Sequence, residues 1–386
     1  MNHIIPAFLA IGALAVAPAK AQECVNADPS SVLVGVQGDF EIRVDPQDPE
    51  ENLIFISNVK DGASQVVAAR VDGITGQVMP GSLATVANDF YGQKIINGPE
   101  FVQKPSGELG IVYAGPGGVH AVFRSATPKG WNAFNLDVHG DVITNTPPRL
   151  PATSEGAYPA PPIPLGQHTH GQLRGDCASI CYGSLSEGVT TDVTAVLAPK
   201  GLTVSAATQS PTDGYIYISA CKGLYSCNLY EAQIDGAGGF VPNSFQVLAG
   251  VGRVSPVSMA AARHPLTGAT ILFSNRGANA VDVWEQPGGG GGLRLIRRVS
   301  VPGNTHYRVE TDRNSVVLHY LVRSGTSAGS YTIPVAAPGS VLNVGTSKKV
   351  TDQSSGAEVF WSPAANKWAV LYRSSEGALR RCWFTP

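Results

Sequence analysis

The chain has 386 residues, with 44 Gly and 28 Pro but only 15% Asp, Glu, Lys and Arg; this mixture suits a loop-rich all-β protein and excludes a long helical bundle or coiled coil. Its 27 basic and 29 acidic side chains leave a net charge of -2, so composition carries no electrostatic footprint for nucleic acid or for an anionic membrane surface.

The first element is an address. Residues 6–17, PAFLAIGALAVA, are apolar but too short to span a bilayer, and Ala19-Lys20-Ala21 reads as a small-x-small cleavage site before Gln22. Residues 1–21 are therefore expected to be a signal peptide that sends the chain to the periplasm or the medium. Gln22-Glu23 before Cys24 does not fit a lipobox, and no later apolar stretch reaches the length of a membrane helix. Residues 22–386 are expected to form one domain.

The next elements recur. A turn rich in Pro, Gly, Asn or Asp is followed by a β-rich run, a second turn and another alternating run, which predicts a β-hairpin each time. Asp48 to Val71 gives DPEEN, LIFIS and VVAARV; Lys104 to Arg124 gives KPSGE, LGIVYAG and VHAVFR. Asp45, just ahead of the first unit, and Glu100, ahead of the second, are candidate acids. With Glu358 near the end they could furnish a carboxylate pair of the kind glycosidases place around a funnel, although turn and strand-edge roles explain them equally well.

Residues 146–166 hold Pro147, Pro148, Pro151, Pro159, Pro161, Pro162 and Pro164, which predicts neither helix nor central strand but an extended surface loop. The irregular excursion is placed at about 146–176. GQHTHGQLRGDCASIC follows, bringing His168, His170, Arg174, Asp176, Cys177 and Cys181 together. His-x-His on an extended segment sets both imidazoles on one face, as a divalent metal site or an acid/base pair requires, and Cys177 and Cys181 would complete a His2Cys2 set. The competing reading is a pair of solvated loop histidines beside a disulfide. For catalysis, Arg174 would neutralise a substrate carboxylate, His168 or His170 would take the acidified proton and Tyr182 would protonate the leaving oxygen, as in polysaccharide β-elimination.

Four further units follow the long gap. They are Ser210 to Ile234, in which Cys221 and Cys227 bracket KGLYS, His264 to Gln286, Asp312 to Val335, and Ser362 to Phe384. Gly288 to Gly292 and Gly325-Thr326-Ser327-Ala328-Gly329 read as hairpin tips, since a phosphate loop or a nucleophile elbow needs a following helix. Trp131, Tyr158 and Tyr307 are candidate exposed aromatics for stacking on sugar rings, but they do not recur at one position of the unit.

The six units repeat about every 46 to 57 residues, with one interval of roughly 105 that accommodates a diverged seventh. Repeats of this size predict a β-propeller, most simply of seven four-stranded antiparallel blades, with six as the alternative count. The segment GPEFVQKPSGELGIVYAG (Gly98 to Gly115) resembles the P-x-F-S-P-D-G-x-x-I-x-Y blade of TolB-like and WD40-like propellers. Val102-Gln103-Lys104 departs from the small residue of that pattern and Ser106 from its Asp, and the resemblance implies fold and not activity.

In an oxidising compartment the six cysteines predict three disulfides: Cys24 with Cys382 across the termini, Cys177 with Cys181, and Cys221 with Cys227. The functional expectation is an exported carbohydrate-active enzyme acting on an acidic polysaccharide, by elimination rather than hydrolysis, or else a non-catalytic module that binds a protein or glycan at one propeller face. No nucleic acid and no membrane span is expected.

Overall fold

The computed structural model describes residues 23–33, 36, 40–45, 48–60, 63–88, 97–103, 109–115, 118–123, 163–165, 169–174, 179–184, 190–192, 201–209, 215–223, 226–233, 241–252, 258–288, 292–354 and 356–386. The signal-peptide assignment of residues 1–21 lies outside them.

Strand β1 (Glu23–Asn26) opens the chain and belongs to its last sheet. The first sheet comprises β2 (Phe40–Asp45), β3 (Asp48–Lys60), β4 (Ala63–Asp72) and β5 (Ala84–Asn88), and the second β6 (Asn97–Gln103), β7 (Leu109–Gly115) and β8 (Gly118–Phe123). The third comprises β9 (Ile163–Leu165), β10 (Thr169–Arg174), β11 (Ser179–Ser184) and β12 (Thr190–Asp192), and the fourth β13 (Leu202–Gln209), β14 (Tyr215–Lys222), β15 (Ser226–Gln233) and β16 (Gln246–Gly252). The fifth comprises β17 (Met259–Arg263), β18 (Thr270–Asn275), β19 (Ala280–Gln286) and β20 (Arg294–Ser300). In the sixth, β21 (Thr305–Thr311), β22 (Ser315–Val322) and β23 (Gly329–Ala336) are followed by two short strands, β24 (Asn343–Val344) and β25 (Lys348–Thr351), that both pair with β23. In the last, β26 (Ala357–Ser362), β27 (Lys367–Arg373) and β28 (Leu379–Phe384) are completed by β1. Among the described residues these are seven antiparallel sheets.

The first strands of the sheets touch in the succession β6, β2, β26, β21, β17, β13, β9, so they stand around a common axis with their sheets radiating outward. Each apolar core lies between neighbouring sheets. Phe40, Ile42 and Ile54 of the first sheet pack with Phe360, Ala369 and Leu371 of the last. Phe273 and Val283 of the fifth pack with Leu318, Tyr320 and Ile333 of the sixth. Burying each such large side chain contributes roughly 1.5–3 kcal/mol, and no sheet could bury both of its faces alone. The protein is an all-β propeller closed near its termini.

Closure is made by β1 on β28, which sets Cys24 directly opposite Cys382, and these two form a disulfide. Cys221 and Cys227 face each other on β14 and β15 and are also bonded. Cys181 lies on β11, whereas Cys177 is outside the described residues, and with it the expected Cys177 to Cys181 bond.

Two expectations are refined. The recurrent hairpins are the second and third strands of six of the seven sheets, all but the third, since Ile54, Ile111, Ile216, Ile271, Val317 and Val370 fall on β3, β7, β14, β18, β22 and β27. Two of these strands are covered on both faces: β18 and β22 are buried at every position. The excursion at about 146–176 is not irregular throughout, because Ile163–Leu165 and Thr169–Arg174 are paired strands. Pro164 is tolerated in β9 because that strand ends its sheet and is paired on one side only.

Candidate functional site

The third sheet carries the residues singled out by the sequence. His168 lies outside the described residues. His170 and Arg174 are on β10, and Tyr182 is on β11. The register sets His170 opposite Gly183, Gln172 opposite Cys181 and Arg174 opposite Ser179, so these positions share one face of the sheet. Tyr182 stands opposite Gly171 and belongs to the other face. His170 and Arg174 are four residues apart, roughly 13 Å along a strand. The metal set proposed for His168, His170, Cys177 and Cys181 falls partly outside the described residues, and among those described no group of three or more His, Cys, Asp or Glu side chains is arranged to hold a metal ion.

A second constellation lines the axis. Glu41 and Arg43 lie on β2, Arg308 and Glu310 on β21, and Glu358 on β26, which stands between the other two. Each four-stranded meander returns the chain to the face from which it started, so the first strands run parallel and their residues meet in step. Arg43 Nη1 is 2.5 Å from Glu310 Oε1, and Arg308 Nη1 is 3.7 Å from Glu41 Oε1. The E-x-R of β2 is therefore answered by the R-x-E of β21. These pairs join the first sheet to the sixth, past the last. Arg43 Nη2 also reaches Glu41 Oε1 at 2.8 Å, and Glu358 Oε2 lies 3.2 Å from Arg308 Nη1.

Burial and opposite-charge pairing compete in setting the protonation of this girdle. Arg43, Arg308 and Glu310 keep 24%, 24% and 21% of their side-chain surface open. Burial pulls the Arg43 guanidinium toward neutrality, but Glu310 and Glu41 outweigh it and hold its pKa above the ordinary value. Burial raises the Glu310 carboxyl, with Arg43 pulling it back. Glu358 is pushed up to about 7, chiefly by burial, against the attraction of Arg308 and Arg43. Glu41, at 1% exposure, is fully buried.

Of the acids weighed from sequence, Glu358 is brought into this charged cluster, where it is buried, and Asp45 is buried at the end of β2. Glu100 sits on β6 opposite Val112. Sequence reading missed Glu41, Arg43, Arg308 and Glu310. Their signal was present as charges two residues apart in FEIRVD and HYRVET, strands that otherwise alternate with apolar residues. Tyr307, read as an exposed aromatic, is half-buried and packs at 6.3 Å against Tyr320, and burial holds its phenol well above the ordinary pKa. The Gly325 to Gly329 segment is the hairpin connection between β22 and β23, with Ala328 N donating to Gly325 O and Tyr331 Oη to Ser327 O.

No protein-family model and no curated relative matches the chain. Among solved structures it is similar to the β-propeller domain of Cps50 (Swd1) from Myceliophteria thermophila, at 10% identity over 95% of this chain and 100% of that one, with a TM-score of 0.48. It is similar to a point mutant of the Aleuria aurantia lectin in complex with α-methyl-L-fucoside at 10% identity, covering 79% and 91% of the two chains, with a TM-score of 0.40. A chain of a nidogen/laminin complex gives 10% identity, 78% and 99% coverage and a TM-score of 0.40. The fold assignment rests on the strand order and ring closure described above, not on these likenesses.

Proposed function

We propose that the protein is an exported, non-catalytic propeller that binds an acidic polysaccharide through the third sheet and the Pro-rich segment preceding it. The observation that carries this reading is the register of β10 on β11. His170 and Arg174 share a face some 13 Å apart while Tyr182 belongs to the other. Such spacing suits contact with successive charges along a polymer, whereas β-elimination needs base, acid and carboxylate clamp to converge on one sugar ring. The charged groups of the channel are engaged with one another, which favours a rigid scaffold over a reaction centre. Two disulfides fit an oxidising compartment and support export.

The test uses the mature chain, residues 22–386, with its disulfides intact, on an array of neutral and acidic polysaccharides. The expected result is saturable, salt-sensitive binding to acidic members, with no unsaturated uronate formed on prolonged incubation. A double His168→Ala, His170→Ala variant and an Arg174→Ala variant should each lose binding at an unchanged thermal midpoint. Accumulation of unsaturated product would return the elimination reading, and binding to no polysaccharide would overturn the glycan assignment.

A further inference from the structure

Among the described residues, the junction of β21, β26 and β2 holds three carboxylates, Glu41, Glu310 and Glu358, against two guanidiniums, Arg43 and Arg308. Arg43 with Glu310 and Arg308 with Glu41 are matched in step, so Glu358 is the supernumerary acid, sharing Arg308 Nη1 with Glu41. Its exposure is 7%, and a surplus charge there is held away from bulk water. The surrounding strands add few titratable groups. His319 on β22 stands directly opposite Arg308, buried; Asp45 closes β2; β17, packed on β21, contributes only Arg263 at its exposed end. Leu371 of β27 stands opposite Glu358. β6, packed on β2, carries Glu100.

We propose that this junction is a proton-operated latch of the ring: in acid Glu358 carries a proton and the girdle is electrically balanced, and near neutrality it releases that proton and leaves a surplus negative charge between the closing sheet and its neighbours. The last sheet is the one that β1 and the Cys24–Cys382 bond complete at its β28 edge; Glu358 lies on β26 at the opposite edge, so the surplus falls where this sheet meets the first and the sixth. The direction of the effect follows from burial, which pushes Glu358 up to about 7 from an ordinary 4.5. The folded state then binds the proton more tightly than the unfolded chain. The contribution of Glu358 to stability is fully present below the ordinary carboxylate range, falls as pH rises toward about 7, and is lost above it. Glu310 and the remote Glu231, both raised by burial, act with the same sign. Asp72, whose carboxyl is lowered, acts with the opposite sign but only in stronger acid.

Urea denaturation of the mature chain, disulfides intact, at a series of pH values from about 5 to 8 tests the latch. The midpoint of the native chain should fall across this range, and Glu358→Gln should hold its acid value and lose at least half of the slope. An unchanged slope in Glu358→Gln overturns the proposal and points to Glu310 instead. Should that variant fail to fold, a carboxyl-carbon NMR titration of the native chain decides. One glutamate titrating near neutrality upholds the latch, and all glutamates titrating below about pH 6 overturn it.

Discussion

Arg43 and Glu310 meet at 2.5 Å although they come from the first and sixth sheets of the ring, with the last sheet between them. A contact of this kind ties sheets that are not neighbours in the ring. Arg43→Met leaves Glu310 desolvated without this partner and should cost about 3 kcal/mol, whereas Glu310→Gln leaves Arg43 on Glu41 and should cost less. The double variant should cost clearly less than the two together, by at least about 1 kcal/mol. Chemical denaturation of the four proteins of the cycle measures this. Costs that add to within about 0.5 kcal/mol would show that the pair is not coupled.

The Cys24–Cys382 bond closes a loop of 358 residues, for which chain entropy gives a stabilisation of order 5 kcal/mol. Among the described residues β1 pairs with β28 alone, and beyond it Ala27 N donates to Leu379 O at 2.9 Å. In Cys24→Ala, Cys382→Ala the outer strand should fray before the rest. Amide exchange should quicken first at residues 24–27, and the urea midpoint should drop. A midpoint equal to that of the native chain would mean that backbone pairing alone closes the ring.

Asp312 serves two sheets. Its Oδ1 accepts from Asn314 N and Ser315 N at 2.7 and 2.6 Å, shaping the β21–β22 turn, while its Oδ2 accepts from Trp368 Nε1 of the last sheet at 2.8 Å. Asp312→Ala leaves an indole N–H without this acceptor as well as an open turn, and should cost about 2–3 kcal/mol. Asp312→Asn keeps one acceptor oxygen for the turn but sets an amide NH2, a donor, against the Trp368 indole N–H, so it should recover the turn's share of the loss and not the indole's. Equal losses, read from thermal midpoints, would indicate that charge rather than acceptor geometry is what matters.

The legible part of this fold was its buried hairpins. SVVLHYLV and ATILFSN read as strands because both faces of the second strand in a sheet are covered, leaving unbroken apolar runs bounded by turns. The first and fourth strands escaped. Ile163–Leu165 is three residues long with a proline at its centre, and Gln246–Gly252 is mostly exposed. The terminal disulfide was legible from position alone, since a ring must bring its ends together. The channel girdle was not, because Glu41 and Arg308 are brought into step by the winding of the whole chain. Only the i, i+2 charge pattern of each strand was available beforehand.

The seam between the first and last sheets also sets a demand on two glycines. Gly73 O accepts from Ser362 Oγ at 2.5 Å and its N donates to Glu50 O at 2.8 Å; a Cβ there would lie 2.3 Å from that same backbone oxygen. Gly76 has φ of 64° and a Cβ would meet Arg381 at 2.6 Å, and Arg381 is itself stacked 4.1 Å from the Trp383 ring centroid. Gly81, with φ of 72°, faces open space. Gly81→Ala thus carries only the cost of a left-handed backbone, about 1 kcal/mol. Gly76→Ala adds displacement of a buried guanidinium and should cost about twice as much. Gly73→Ala must move backbone at the closure itself and should be the worst of the three. Thermal midpoints in the order Gly81→Ala, Gly76→Ala, Gly73→Ala, from least to most destabilised, are expected. A Gly73→Ala chain as stable as the native one would show that the seam yields, and that the ring is held shut by β1 and its disulfide alone.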